Sequence, residues 1–157
     1  MHASLIMYEP TTGQFIWPRR VGRDAARWNS RYAGKPAGTI GNHGYLAIKI
    51  NKKTILAHRL AWFLTYGSWP ENHIDHINGD KADNRIVNLR ECTRSENMQN
   101  RRNVKGYNFH SQTRKFQARI VSGGKFISLG LHSTEAQADA AYAKAKREIH
   151  TFNPERR

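Results

Sequence analysis

A chain of 157 residues has room for one ordinary domain or for two to three small ones. Its 26 Lys and Arg against 12 Asp and Glu leave a formal net charge of +14, a field that attracts a polyanion, nucleic acid foremost. The bland alternative is a basic surface kept for solubility. The single cysteine, Cys92, excludes an internal disulfide and a cysteine-rich zinc site. The N-terminus lacks the apolar run of a signal peptide, and Ile55–Leu64, interrupted by His58 and Arg59, is too short to cross a bilayer. A soluble protein of a reducing compartment, the cytoplasm, is expected, with no membrane partner.

In chain order, Leu5-Ile6-Met7-Tyr8 and Gln14-Phe15-Ile16-Trp17 flank a Pro10–Gly13 turn and predict a hairpin. Arg19, Arg20, Arg23, Arg27, Arg31 and Lys35 follow, with Trp28 and Tyr32 among them. Two readings stand open there: a surface that grips phosphates and stacks on bases, or an irregular solvated loop whose Trp28 covers a small core. Alternation over Tyr45–Ile50, the turn Asn51-Lys52-Lys53 and Thr54-Ile55-Leu56 predict a second hairpin. A helix is expected over Ala57–Tyr66, with Leu60, Phe63 and Leu64 on one face and Gly67 ending it. His58 at its start reads as a structural, hydrogen-bonding histidine rather than a ligand.

Asp75 and His76 lie on or just after a short strand, followed by the tight turn Asn78-Gly79 and the polar loop Asp80–Val87. Asn88 leads into a strand, Leu89–Cys92. Thr93-Arg94-Ser95-Glu96 has capping-box spacing, so a helix from Arg94 to about Arg102 follows. After a linker at 103–105, three short strands are expected over Gly106–Phe109, Phe116–Ser122 and Phe126–Leu131, with turns at 111–114 and at Gly123-Gly124. A second box at Thr134/Gln137 opens a helix from Glu135 to about Ile149, whose Ala138, Ala141, Tyr142 and Ala145 form a small-residue face for the sheet.

The stretch His73–Asn100 concentrates carboxylates, amides and imidazoles that are costly to bury without partners, which marks a site. Phosphodiester hydrolysis needs an activated water, charge stabilisation at phosphorus and help for the departing oxygen. A histidine near neutrality accepts the proton from water, and a cation on oxygen donors supplies the rest. Consecutive on extended backbone, Asp75 and His76 diverge, so one can hold a metal while the other faces water. Asn97 brings an amide oxygen from the following helix, and an Asp/Asn pair favours Mg2+ or Mn2+ over zinc.

With I-D-H-I-N-G, N-L-R and S-E-N in register, His58–Asn100 resembles an HNH endonuclease of the phage and homing-endonuclease branch, whose fold is ββα-metal. The resemblance implies that His76 is the general base and Asp75 the metal-binding acid. It makes Asn88 the residue that braces the loop and orients the histidine, and Asn97 the second metal ligand. The lead-in Ala57-His58-Arg59-Leu60-Ala61 is also similar to the segment preceding the motif in this branch.

Gly106–Asn153, through G-Y-N, K-F-Q-A-R-I and S-L-G-L-H-S-T-E-A-Q-A-D-A-A-Y, resembles the apetala-two (ethylene-response-factor) DNA-binding domain. That resemblance implies a sheet that enters the major groove, with Phe116, Ala118 and Ile120 on the helix. Lys115, Gln117 and Arg119 would face outward, near Asn108, His110, Arg114 and Lys125, with Arg101 and Arg102 joining the DNA-binding set. Phe116 stands where the family has Trp, and Phe126 and Ser128 replace residues that often touch DNA, so no base preference transfers.

Together these readings predict an α+β protein: an N-terminal β-hairpin region (1–55), an HNH ββα-metal domain (56–102) and a sheet-and-helix DNA-binding domain (103–157). The expected activity is metal-dependent cleavage of double-stranded DNA leaving 5′-phosphate and 3′-hydroxyl ends, by a monomer whose single centre suits nicking. If phage-encoded, it would act in the host cytoplasm. The rivals are a non-cleaving DNA-binding regulator and an RNA-directed nuclease or binder, since charge alone does not choose the polymer.

Overall fold

A computed structural model describes residues 5–23, 25–100 and 104–150. The chain divides into two compact units, Met1–Glu91 and Cys92–Arg157, and each combines small sheets or hairpins with helices. No helix among the described residues is long and apolar enough to cross a membrane.

In the first unit β1 (Met7–Glu9) and β2 (Gln14–Ile16) pair antiparallel, with Tyr8 opposite Phe15. Pairing starts later than the apolar run does, because Ile6 turns into the core instead. Residues 25–32 form a helix, α1 (Ala25–Tyr32), where an irregular loop was one of the readings. Two alanines favour that helix, and the Asn29 side chain ties it to the preceding chain. It accepts from the Arg20 N–H and donates to the Arg20 carbonyl, both at 2.8 Å.

Next, β3 (Thr39–Ile40), β4 (Leu46–Ile50) and β5 (Lys53–Leu56) make a three-stranded antiparallel sheet in that order. Two residues are too few to show alternation, which is why β3 is silent in the sequence. The β4–β5 turn places Asn51 and Lys52 at φ 49° and 66°, the backbone of a tight two-residue hairpin. Helix α2 (Ala57–Tyr66) follows at once and stops at Gly67, whose left-handed φ of 79° lets its N–H reach the Phe63 carbonyl. Strands β6 (His73–His76) and β7 (Leu89–Cys92) pair, with a 3-10 turn at Ile86–Asn88 just before β7.

One core serves this whole unit. Ile6 and Phe15 from the first hairpin, Ile48 and Ile50 from β4, Ala57, Leu60 and Ala61 from α2, and Ile74 and Leu89 from β6 and β7 form it. Fully burying a side chain such as Ile48 or Leu60 stabilises the fold by about 1.5–3 kcal/mol. Gly13 sits at φ 73°, and a Cβ there would stand 2.5 Å from the Arg85 backbone nitrogen. The first hairpin therefore lies directly on the loop that follows β6.

In the second unit α3 (Arg94–Gln99) starts on a complete capping box. Thr93 Oγ1 accepts from the Glu96 N–H, and the Glu96 carboxylate accepts from the Thr93 N–H at 2.7 Å. Its C-cap is Asn100, so the helix ends at Gln99, short of the end expected near Arg102. Strands β8 (Tyr107–His110), β9 (Lys115–Ser122) and β10 (Lys125–His132) form an antiparallel sheet with β9 central, and α4 (Glu135–Ile149) packs on it. Ala138 and Ala145 are the small residues buried on α4. Tyr142 lies so close over Gly106 that any Cβ there would fall 1.9 Å from its ring.

Candidate active site

Extended backbone at β6 sends successive side chains to opposite faces. Asp75 and His76 are both buried there, and they meet different neighbours. On β7 the Arg90 guanidinium donates from Nε (3.0 Å) and Nη2 (2.8 Å) to Oδ2 of Asp75. This pair is largely withdrawn from water, with side-chain exposures of 19% and 8%. A carboxylate so placed requires a compensating charge, and the adjacent strand supplies it.

His76 joins an aromatic cluster instead. Its ring centroid is 5.1 Å from that of His58, edge to face, and 5.9 Å from that of Tyr45. Tyr45 in turn lies 5.3 Å from His58, and Lys81 Nζ stands 4.9 Å from the Tyr45 ring. Burial lowers the His76 pKa below its ordinary value. The Asn84 side chain and the charges of Asp75, Asp80 and Asp83 oppose that shift. Burial, with smaller contributions from His76 and Arg59, pushes His58 down to about 3. Both rings are therefore neutral near pH 7, the form in which an imidazole accepts a proton. His58 was expected to be a hydrogen-bonding structural histidine; among the described residues its buried Nδ1 has no partner.

The loop after β6 is braced by its own amides. Asn88 is buried, accepts at Oδ1 from the Asn78 N–H (3.0 Å) and donates from Nδ2 to the Asp83 carbonyl (2.8 Å). Its backbone carbonyl takes the Ile77 N–H at 2.9 Å. Asn88 thus holds the two residues that directly follow His76. Asn78 bonds Asp83, and a two-point contact with Arg85 holds the Asp83 carboxyl down to about 2. Asn84, only 1% exposed, donates to the Ala82 carbonyl, while the Tyr8 hydroxyl donates to the Asn84 carbonyl at 2.7 Å.

Asp75, His76 and Asn88 are thus gathered in the first unit. Asn97 lies on α3 of the second unit. Three neighbours escaped the sequence reading, Tyr45, Asn84 and Arg90, and a fourth, His58, was read only as structural. For Arg90 a signal existed, since a buried carboxylate on one strand demands a cation on the next. For Tyr45 none did, because its meeting with His58 and His76 depends on how sheet and helix pack. As for a cation, the carboxylate of Asp75 beside a neutral imidazole suits a hard metal ion. Among the described residues no cluster of three or more His, Cys, Asp or Glu forms a ready cage.

On β9 Phe116, Ala118 and Ile120 alternate with Lys115, Gln117 and Arg119, and Ala118 and Ile120 are buried. Asn108 pairs with Gln117 and His110 with Lys115, so these five side chains share the outward face. Arg119 sits 5.1 Å from the ring of Phe126, which is 71% exposed on the same face. Arg114 occupies the β8–β9 turn at φ 51°. Lys125 differs from the expected grouping: it pairs with Ser122 and so follows the alternation of the helix-facing side, at the strand's beginning. Arg101 and Arg102 lie outside the described residues.

Residues 56–99 match the HNH endonuclease family model. The HNH segment contains His58, Asp75, His76, Asn84, Asn88, Arg90 and Asn97, and it supports a nuclease, a phosphodiester hydrolase acting on nucleic acid. No curated protein and no solved structure matches the chain. Tyr45 and the hairpin bearing Gly13 lie N-terminal to the HNH segment, yet Tyr45 meets the His76 ring and the hairpin backs the loop at Asn84 and Arg85.

Proposed function

We propose that the protein is a metal-dependent endonuclease of double-stranded DNA. Its HNH segment cuts, and its C-terminal sheet holds the duplex. The observation that carries this reading is His76, buried and neutral beside Asp75 inside the HNH segment. In the first unit Asp75 is the residue that would hold Mg2+ or Mn2+. The cation, when bound, neutralises charge on the phosphate and eases departure of the leaving oxygen.

His76 takes a proton from water at a ring nitrogen, and the water oxygen bonds phosphorus. The P–O3′ bond breaks with its electron pair on the departing oxygen, which takes a proton from solvent water, leaving 5′-phosphate and 3′-hydroxyl ends. Asn88 keeps the backbone after His76 in place through its bonds around residues 77 and 78. Arg90 positions Asp75 through the two bonds to Oδ2. On the sheet, Gln117 and Arg119 are suited to base edges and Lys115 to phosphates, with Asn108 and His110 on the same face. One catalytic centre per chain favours a nicking monomer.

Incubating supercoiled plasmid with Mg2+ tests this. Wild-type protein converts it to relaxed or linear DNA; His76→Ala loses at least a hundredfold in rate, within the range that general-base catalysis contributes (about 10²–10⁴), and still binds the plasmid. Undiminished cutting by His76→Ala refutes the assignment.

A further inference from the structure

The basic segment at 17–35 belongs to none of the machinery above and lies outside the HNH match. It carries Arg19, Arg20, Arg23, Arg27, Arg31 and Lys35 against one acid, Asp24, which lies outside the described residues. Its two ends are pinned together, because the Trp17 N–H bonds the Lys35 carbonyl (3.1 Å) and the Gly34 N–H bonds the Trp17 carbonyl (2.8 Å). The segment is thus a closed excursion with α1 as its rigid part.

Residues four apart on a helix share a stripe, and α1 has two such stripes. Trp28 and Tyr32 form one, their rings 5.5 Å apart, and Trp17 meets Trp28 edge-on at 5.9 Å. Arg20 covers the Trp28 ring at 3.7 Å. Trp28 is thus engaged by Arg20, Trp17 and Tyr32, while Tyr32 itself stays 38% exposed. Arg27 and Arg31 form the other stripe, continued by Arg23 in the turn before the helix, and all three are exposed. Among the described residues no ion pair involves them. Arg31 rests 5.6 Å from the Tyr32 ring. Like charges four apart disfavour a helix, so a stripe of arginines carries a cost that an anionic partner relieves.

We infer that Arg23, Arg27 and Arg31 grip the phosphate backbone of duplex DNA without reading its sequence. The inference rests on the proposed DNA-cleaving function and adds to it a second contact, in the other unit from the sheet. Three guanidiniums account for about three phosphate contacts, each contributing roughly 0.9 to the slope of log affinity against log salt.

The test is binding of the full-length chain to duplex DNA in EDTA, measured by fluorescence anisotropy from 50 to 200 mM NaCl. Arg23→Gln, Arg27→Gln and Arg31→Gln combined should lower that slope by about two to three. They should weaken binding equally on unrelated sequences, with an unchanged melting temperature. The Arg27→Lys, Arg31→Lys variant keeps the charge and should keep the slope. An unaltered slope in the glutamine variant, or a loss confined to particular sequences, overturns the inference while leaving the nuclease reading intact. An effect on duplex RNA but not on DNA overturns it as well. Wild-type protein without salt-dependent binding to duplex DNA overturns both.

Discussion

His58 and His76 share a wall of the site, and their titration links chemistry to stability. Both have folded-state pKa values below the ordinary 6.5, so the unfolded chain binds their protons more tightly. The stability they contribute is complete above about pH 6.5 and is lost as pH falls toward the folded value, about 3 for His58. In that window each contributes a slope of up to about 1.4 kcal/mol per pH unit. Urea unfolding between pH 8 and 5 should show declining stability on acidification, and His58→Phe should flatten the decline. Cleavage should follow the same direction, holding at pH 7–8 and falling as His76 becomes protonated below its ordinary range.

Arg90 and Asp75 form the other residue-scale device. Removing one partner of a buried ion pair leaves an uncompensated charge that costs about 3–5 kcal/mol. Arg90→Met should therefore lower unfolding stability by that order, and the double variant with Asp75→Asn should recover most of it. An Arg90→Met protein as stable as wild type would show that the pair is not what holds β6 to β7.

Among the elements, the first hairpin matters for the site although it contributes no catalytic group. Gly13 backs onto Asn84 and Arg85, the Pro10 carbonyl accepts the Ile86 N–H at 3.1 Å, and the Tyr8 hydroxyl bonds the Asn84 carbonyl. Gly13→Ala meets a left-handed φ and two backbone atoms within 2.7 Å, neither of which belongs to a flexible side chain. It should cut cleavage at least tenfold while leaving the second unit's helix α4 intact, read by plasmid nicking beside backbone NMR or hydrogen exchange. Thr93→Ala dismantles the capping box that starts α3 and should cost about 0.5–2 kcal/mol of stability. Most elements were legible from sequence because each rests on a local rule: the ends of α2 on apolar spacing and Gly67, the start of α3 on Thr93 and Glu96. Helix α1 and strand β3 were not. The first is an arginine-rich stretch with no apolar face wide enough to announce a helix, and the second is two residues long.

Across the whole molecule, a net charge of +14 on 157 residues predicts nucleic-acid affinity that collapses with salt. With six or more phosphate contacts, binding to duplex DNA should weaken by about a thousandfold or more between 50 and 200 mM NaCl. A flat salt profile would deny the backbone contacts that this charge implies. Composition and motif by themselves pointed to a polyanionic partner, excluded an internal disulfide and singled out His76, Asp75 and Asn88 as candidates. These are properties of residue types at short spacings, and short spacings survive in a linear string. Tertiary structure alone decided that Tyr45 and His58 wall in His76, that Arg90 clasps Asp75, and that the N-terminal hairpin supports the loop from below. It also decided that Trp28 is occupied, leaving the arginines beside it to face outward. Those outcomes depend on which faces of separate elements share one core, a matter settled by packing among residues tens of positions apart.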